Sequence, residues 1–306
     1  MEDSRWGIIF CPRGRKHQIH KEWDAMRSYL TEKGVLYDFV QSEGPESVER
    51  LAGMLASNGY KTIIVVGGDS ALNKALNGIL SQGEEARKSI ALGVIPNGMV
   101  NDFAHFWGFE VGHYKQSIDW LVKKRIRKVD VGVCTCEGEL RKSRFFFNCV
   151  NVGLVANIMS LKRKTKKIFG LSGLSYLTSI FLLLFQRKEH KMRMRVNQEE
   201  INRSIMTVCI GSAKGYGQTP SAVPYNGMLD VSIVSHPELT KTFEAIWMLL
   251  RGSFLNHKAV KSYRTRSVQI YDKGKAKLSL DSSEWVEAVA PINVSVRQEW
   301  VNFIIP

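Results

Sequence analysis

Short apolar runs alternate with amphipathic segments over the first 125 residues of the chain. Trp6 to Phe10, Val35 to Val40, Thr62 to Val66 and Ile90 to Ile95 have the length and apolar content of buried strands. Between them, Lys21 to Lys33, Pro45 to Ser57 and Leu72 to Leu80 carry helical spacing, and the second opens on Pro45 with Glu46 in its first turn. Strand, loop and helix repeat three times, which predicts a parallel sheet covered by helices. After about Arg127 the texture changes. Lys128 to Cys136, Arg144 to Cys149, Met192 to Val196, Ile205 to Ile210, Leu229 to Val234, Ser267 to Tyr271, Lys277 to Asp281 and Ile292 to Val296 read as strands, many joined by glycine or charged turns. Two helical segments interrupt them, Lys162 to Leu184 and Thr240 to Arg251, and Trp300 to Ile305 is a last strand that fits either half. The pattern predicts an α/β domain over residues 1–126 and a mainly antiparallel β domain over residues 127–306.

Length agrees with two domains, since 306 residues at roughly one domain per 150 give that number. Hydrophobic residues at 44% and charged residues at 24% exclude a disordered chain. Lys and Arg exceed Asp and Glu by 14, which implies a polyanionic neighbour: nucleic acid, an anionic membrane face or a phosphate-bearing ligand. Five scattered cysteines without a CxxC pair read as reduced thiols, and MEDSRWGIIFCPRGRK lacks the layout of a secretory signal, so a cytoplasmic location is expected. Ile168 to Phe185 is 18 residues long without a charge. Six small or polar positions within it favour a buried helix near a lipid-facing surface over a membrane span.

Two runs carry candidate chemistry. In IIVVGGDSALNKALNGI a buried strand ends in Gly67, Gly68 and Asp69 and passes directly into a helix. Glycines let backbone amides approach phosphate oxygens and the helix N-terminus favours an anion, while Asp69 is placed to hold a metal or steer a hydroxyl. The same pattern also suits a plain turn with Asp69 capping the helix. In IALGVIPNGMVNDFAHFWGF a second strand ends before Pro96, Asn97 and Gly98, followed by Asn101, Asp102 and a short helix. Two such loops after two strands of one sheet would line one crevice, where ligands of open α/β sheets bind.

These residues resemble the diacylglycerol kinase catalytic-domain family of lipid kinases, which includes the sphingosine kinases. GGDSALNKALNG at Gly67 to Gly78 is similar to the family's GGDGTxNEVxNG, and PNGMVNDFA at Pro96 to Ala104 to its PLGTxNDFA. Cys11-Pro12-Arg13-Gly14, Asn148 to Ala156, Gly215 to Asp230 and Asp281 to Glu284 fall where four further motifs are expected. The resemblance implies an α/β nucleotide domain followed by a mainly antiparallel β-sandwich. It implies ATP over Gly67, Gly68, Ser70, Ala71, Leu72, Asn73 and Lys74, with Gln41, Asn97, Gly98, Met99, Asn101 and Asp102 completing the nucleotide site. It implies Asp69 near the phosphates, Asp281 and Glu284 as source of the base that deprotonates a lipid hydroxyl, and magnesium at Val223, Asn226 and Met228, partly through backbone oxygens.

Departures from the family pattern cluster at these positions. Ser70, Ala71 and Met99 stand where the family has Gly, Thr and Thr; Lys74 replaces a glutamate and Asn226 an aspartate, and DSSE replaces DGE. Two lost hydroxyls remove phosphate hydrogen bonds of about 1–3 kcal/mol each, which Lys74 and Ser70 would partly replace. Ten Lys or Arg against Glu189 alone between Lys162 and Arg195 form a basic collar around the apolar helix, suited to an anionic leaflet. No recognition helix, zinc module or stacking motif supports nucleic acid as partner, and His17 with His20 lacks a third metal ligand. The expectation is a peripheral, ATP- and magnesium-dependent lipid kinase at the cytosolic membrane face, or a catalytically degenerate lipid- or nucleotide-binding relative. Oligomeric state is open, with a homodimer as one candidate.

Overall fold

The computed structural model describes residues 5–12, 16–137, 142–154, 156, 189–214, 219, 221–236, 244, 247–248 and 256–306. Arg13 and Gly14, the side chains of His17 and His20, the segment Ile168 to Phe185 with its collar before Glu189, and most of Thr240 to Arg251 lie outside the described residues. The chain forms two compact units, one of Met1–Val131 with Gln298–Pro306 and one of Gly132–Arg297.

In the first unit, strands β1 (Trp6–Phe10), β2 (Tyr37–Gln41), β3 (Thr62–Gly67) and β4 (Ala91–Pro96) run parallel in the order β2-β1-β3-β4. The carboxyl half of the last strand, Ile292–Ile305, adds to β4 through Asn302 and Phe303. Helices α1 (Lys16–Glu32), α2 (Pro45–Ser57), α3 (Asp69–Leu80), α4 (Glu84–Ser89), α5 (Asp102–Phe106) and α6 (Tyr114–Lys123) connect or follow these strands. Ile8, Ile9 and Ile63 to Val66 are fully buried, so both faces of the inner strands are covered and the runs are continuously apolar instead of alternating. Gly78 is required where α2 and α3 cross, because a Cβ there would lie 2.2 Å from the Glu49 carbonyl oxygen.

The second unit is an antiparallel sandwich. One sheet is built from β5 (Arg125–Cys136), β6 (Lys142–Phe146), β8 (His190–Val196), β9 (Glu199–Ile205), β13 (Ser267–Asp272) and the amino half of β16 (Ile292–Ile305). The other has the order β12-β11-β10-β7-β14-β15, namely Val260–Thr265, Leu229–Val234, Thr207–Gly211, Cys149–Gly153, Leu278–Leu280 and Ser283–Glu284. Val150, Val152, Ile210, Val231 and Leu278 of this sheet meet Met192, Met194, Val268, Ile270 and Val294 of the first in one apolar core.

The differences from the sequence reading have local causes. Arg144 to Cys149 is two strands because the backbone amides of Phe147, Asn148 and Cys149 turn onto a side chain. Ile205 to Ile210 divides at Met206 between the two sheets. Glu199–Ile205 and Val260–Thr265 are strands whose charged outer faces hide their β character. The last two predicted strands are one, and the polar run between them bends at Glu299, whose φ is 48°.

Cys134, Cys136, Cys149 and Cys209 are buried while Cys11 is half-buried. Burial pushes the Cys134 and Cys149 thiols well up, which withholds the reactive thiolate. A thiol-reactive dye should therefore label at most Cys11 at a measurable rate in the native protein, and all five cysteines in denaturant.

Candidate active site

The carboxyl ends of the parallel strands bring together most of the predicted nucleotide residues. Phe10 stands beside both Gln41 and Val66, and Gly67 beside Pro96, so Cys11, Gln41, Gly67 and Asn97 lie along one edge. Cys11 donates its backbone N–H to Val66 and Ser42 donates its own to Phe10. Burial pushes the Cys11 thiol up, opposed by a hydrogen bond with Ser42. Neither residue was among the nucleotide residues expected at the site; Cys11 opens the Cys11-Pro12-Arg13-Gly14 motif, and the only signal for Ser42 is its position one step beyond a strand end.

The two glycine loops interlock. A Cβ on Gly98 would lie 2.2 Å from the Gly68 Cα, and one on Gly68 would lie 2.6 Å from the Val100 carbonyl oxygen. Around this contact Asp69 N–H donates to Val100 at 3.0 Å and Asn97 N–H to Gly67 at 3.0 Å. Asn101 clasps Gly98 from both sides: its Oδ1 accepts the Gly98 N–H at 3.0 Å and its Nδ2 donates to the Gly98 carbonyl at 2.9 Å. The two loops meet at one sheet edge within this unit, and both glycines have a steric reason.

Asp69 is 3% exposed, and its carboxylate accepts the N–H groups of Asp102 at 2.8 Å and Phe103 at 3.3 Å. The residue fixes the start of α5 against the start of α3, a positioning role beside the expected one near phosphate. Leu72 is buried in the core and Asn73 is buried beneath Asn77, which leaves their backbone as the part that can face a ligand. Ser70, Ala71 and Met99 are half-buried around the loops, Asp102 is half-buried at the start of α5, and Gln41 is exposed.

Two features suit a phosphate. Helix α3 has twelve residues and no side-chain cap hydrogen bond at Gly68, and the one acid of its first turn, Asp69, turns its carboxylate to the Asp102 and Phe103 N–H groups. The Asn97 Nδ2 is buried without an acceptor among the described residues. Lys74 does not add to them: its ammonium pairs with Glu46 at 2.9 Å and Glu49 at 3.6 Å, both on α2. The expected compensation of lost hydroxyls by Lys74 is therefore corrected. Lys74→Glu, which installs the family's residue, should destabilise the fold by about 1–2 kcal/mol in urea titration, because three carboxylates would then share one groove.

In the second unit Asp281 and Ser282, at φ 41° and 70°, form the two-residue turn that joins β14 to β15. Asp281 is 1% exposed, and its carboxylate accepts three backbone N–H groups, from Phe147 at 2.7 Å and from Asn148 and Cys149 at 2.9 Å. It is a scaffold for the entry into β7. Glu284 has a partly exposed side chain and pairs with Lys277 at 2.8 Å, a partner the sequence reading did not single out.

The proposed magnesium residues form a turn. The Asn226 Oδ1 accepts the Met228 N–H at 2.9 Å, the Val223 carbonyl accepts the Tyr225 N–H, and Gly227 takes a φ of 67°. Every donor there is neutral, and among the described residues no three His, Cys, Asp or Glu gather to hold a metal. These residues do not fit a hard dication, which favours charged oxygen.

The family model of the diacylglycerol kinase catalytic domain matches residues 5–134, and that of the YegS C-terminal NAD kinase beta sandwich-like domain matches residues 148–305. A diacylglycerol kinase of Staphylococcus saprophyticus is 25% identical over 283 residues, covering 91% of this chain and 88% of that protein. One of Bacillus subtilis is 25% identical over 229 residues, covering 72% of this chain and 71% of that protein. The crystal structure of a diacylglycerol kinase from Bacillus anthracis shares the fold, with a TM-score of 0.69 at 14% identity over 99% of this chain and 97% of that one. Each half of the chain thus matches a family domain, and the chain belongs to the diacylglycerol kinase catalytic-domain family with a YegS-type C-terminal domain.

Proposed function

We propose that the protein is an ATP-dependent lipid kinase that phosphorylates a hydroxyl of a diacylglycerol-like or sphingoid membrane lipid, working from the cytosolic face. The observation that carries this reading is the interlock of Gly68 with Gly98, which holds the uncapped start of α3 and the Asn97 amide at one sheet edge. ATP supplies the phosphoryl group when bound. The α3 terminus and Asn97 Nδ2 would hold its phosphate oxygens, while Asp69 and Asn101 keep both loops in register. Glu284 takes the proton of the lipid hydroxyl, and Lys277 orients that carboxylate. No step is assigned to Val223, Asn226 or Met228.

One observation favours a second reading, a non-catalytic lipid- or nucleotide-binding relative: the Lys74 ammonium is already neutralised by two glutamates, so Lys74 does not replace the hydroxyls missing at Ala71 and Met99. Transfer of labelled γ-phosphate from ATP to diacylglycerol, sphingoid base and phosphatidylglycerol in mixed micelles separates the two. Product above a blank supports the kinase, and none with any lipid, alongside retained ATP binding, establishes the relative. Peripheral association follows from the collar between Lys162 and Arg195, and among the described residues no helix is long and apolar enough to cross a membrane. Retention on anionic vesicles should fall with salt; retention that is absent or indifferent to salt rejects the association.

A further inference from the structure

The second unit contains a cavity of about 460 Å³ that the reading above does not use, lined in part by Arg195, Asn197, Arg264, Thr265, Arg266 and Gln269. It lies where the chain passes from one sheet of the sandwich to the other, between the end of β12 at Thr265 and the start of β13 at Ser267. Arg266 is the residue at that crossing, and the Thr265 Oγ1 donates to the Ser267 carbonyl at 2.9 Å, closing the backbone around it. On the neighbouring strand Arg195 faces Gln269 in the β8–β13 ladder.

Two of the three guanidinium groups are fixed by partners. Arg264 is bound in a fork by Asp230, Nε to Oδ1 at 2.8 Å and Nη2 to Oδ2 at 3.3 Å. Arg195 donates from Nη2 to the Gln269 Oε1 at 2.6 Å. At the Arg195 end of the cavity, Asn197 takes a φ of 55° and donates from Nδ2 to the Arg264 carbonyl at 3.4 Å. Among the described residues no acidic side chain lines the cavity; Asp230 balances one arginine from outside it, and Glu200, opposite Arg195 in the β8–β9 ladder, is not part of the lining. Two positive charges are left in one concavity, with the Asn, Thr and Gln groups beside them.

We infer that this cavity binds a phosphate-bearing anion of small size, through Arg195 and Arg266 with Arg264 held behind them by Asp230. A guanidinium presents paired donors that match phosphate oxygens, and two such groups suit a phosphomonoester dianion or a single phosphodiester headgroup. A concave site of this volume accommodates one headgroup, whereas a polymeric phosphate backbone calls for a basic stripe. The inference does not rest on the ATP site, since none of its residues belongs to the nucleotide loops or to the Glu284 pair; Arg195 is shared with the basic collar, and Met228, which also lines the cavity, with the Val223–Met228 turn.

The test compares the wild type with Arg195→Gln/Arg266→Gln, which changes two exposed side chains and leaves the Arg264–Asp230 fork in place. Calorimetric titration with inorganic phosphate should show binding weakened about tenfold or more in the variant, the ordinary consequence of removing charged hydrogen bonds. Co-sedimentation with phosphatidylcholine vesicles, with and without phosphatidic acid, separates the sources of the phosphate. A drop in retention on phosphatidic acid together with the calorimetric loss assigns a lipid headgroup; the calorimetric loss alone assigns a free phosphate compound. Arg195→Lys/Arg266→Lys keeps the charge but not the fork and should recover only part of the binding. Phosphate affinity and vesicle retention both unchanged in Arg195→Gln/Arg266→Gln, with a native unfolding midpoint, overturn the proposal.

Discussion

Gly98→Ala is expected to lower phosphoryl transfer from ATP by about a hundredfold or more while the chain still folds. The added methyl would have to sit 2.2 Å from the Gly68 Cα and 2.9 Å from the Asn101 Oδ1, neither of which can yield on its own. The contact on the Gly68 side is backbone, and the Asn101 side chain is held at both ends by the Gly98 peptide. The two loops must therefore separate. That movement breaks the Asp69-to-Val100 and Asn97-to-Gly67 hydrogen bonds and turns the Asn97 amide away from the start of α3. Overpacking of this kind costs about 1–3 kcal/mol, which a urea titration will resolve from the much larger loss of rate. Gly44→Ala is the control, because Gly44 has extended backbone at φ 179° and open space around it; as the N-cap of α2 it should cost about 0.5–1 kcal/mol and leave the rate unchanged. A Gly98→Ala protein with parental activity would show that the interlock does not organise the site.

The sequence makes the interlock legible only in part. Two glycine-bearing loops after two apolar strands predict a shared edge, because parallel strands of one sheet deliver their carboxyl ends to one side. What the pattern cannot supply is which polar residues face a ligand and which hold the loops to each other. Asp69, Asn101 and Asp281 stand in motif positions, yet their oxygens accept backbone N–H groups supplied by segments up to 134 residues away in the chain. Lys74 shows the same limit. Its charge suggests a phosphate partner until the packing of α2 on α3 sets Glu46 and Glu49 beside it. The strands missed on reading, Glu199–Ile205 and Val260–Thr265, are those with charged outer faces. There period-two alternation is carried by a few apolar positions, and pairing in the sheet supplies the rest.

Glu284→Gln and Asp281→Asn should fail in opposite ways, and the contrast separates the base from its scaffold. Glu284 is paired with the partly exposed Lys277, and an amide of the same shape keeps most of that packing. The urea midpoint should move by no more than about 0.5 kcal/mol, as for other pairs near the surface. The rate at saturating ATP and lipid should fall by about 10²–10⁴, the usual contribution of a positioned general base, because an amide cannot take the hydroxyl proton. Asp281 is the reverse case. Its buried carboxylate gathers the N–H groups of Phe147, Asn148 and Cys149, and an asparagine can offer them one oxygen while turning an NH2 toward donors that need an acceptor. A stability loss of about 3 kcal/mol or more follows from leaving buried donors without acceptors. In mild denaturant the β7 amides, which lie directly beyond that turn, should then lose protection from hydrogen exchange earlier than in the wild type. Equal loss of rate in both variants without a change in either midpoint would assign the proton transfer to the pair, and full activity in Glu284→Gln would remove Glu284 from the chemistry.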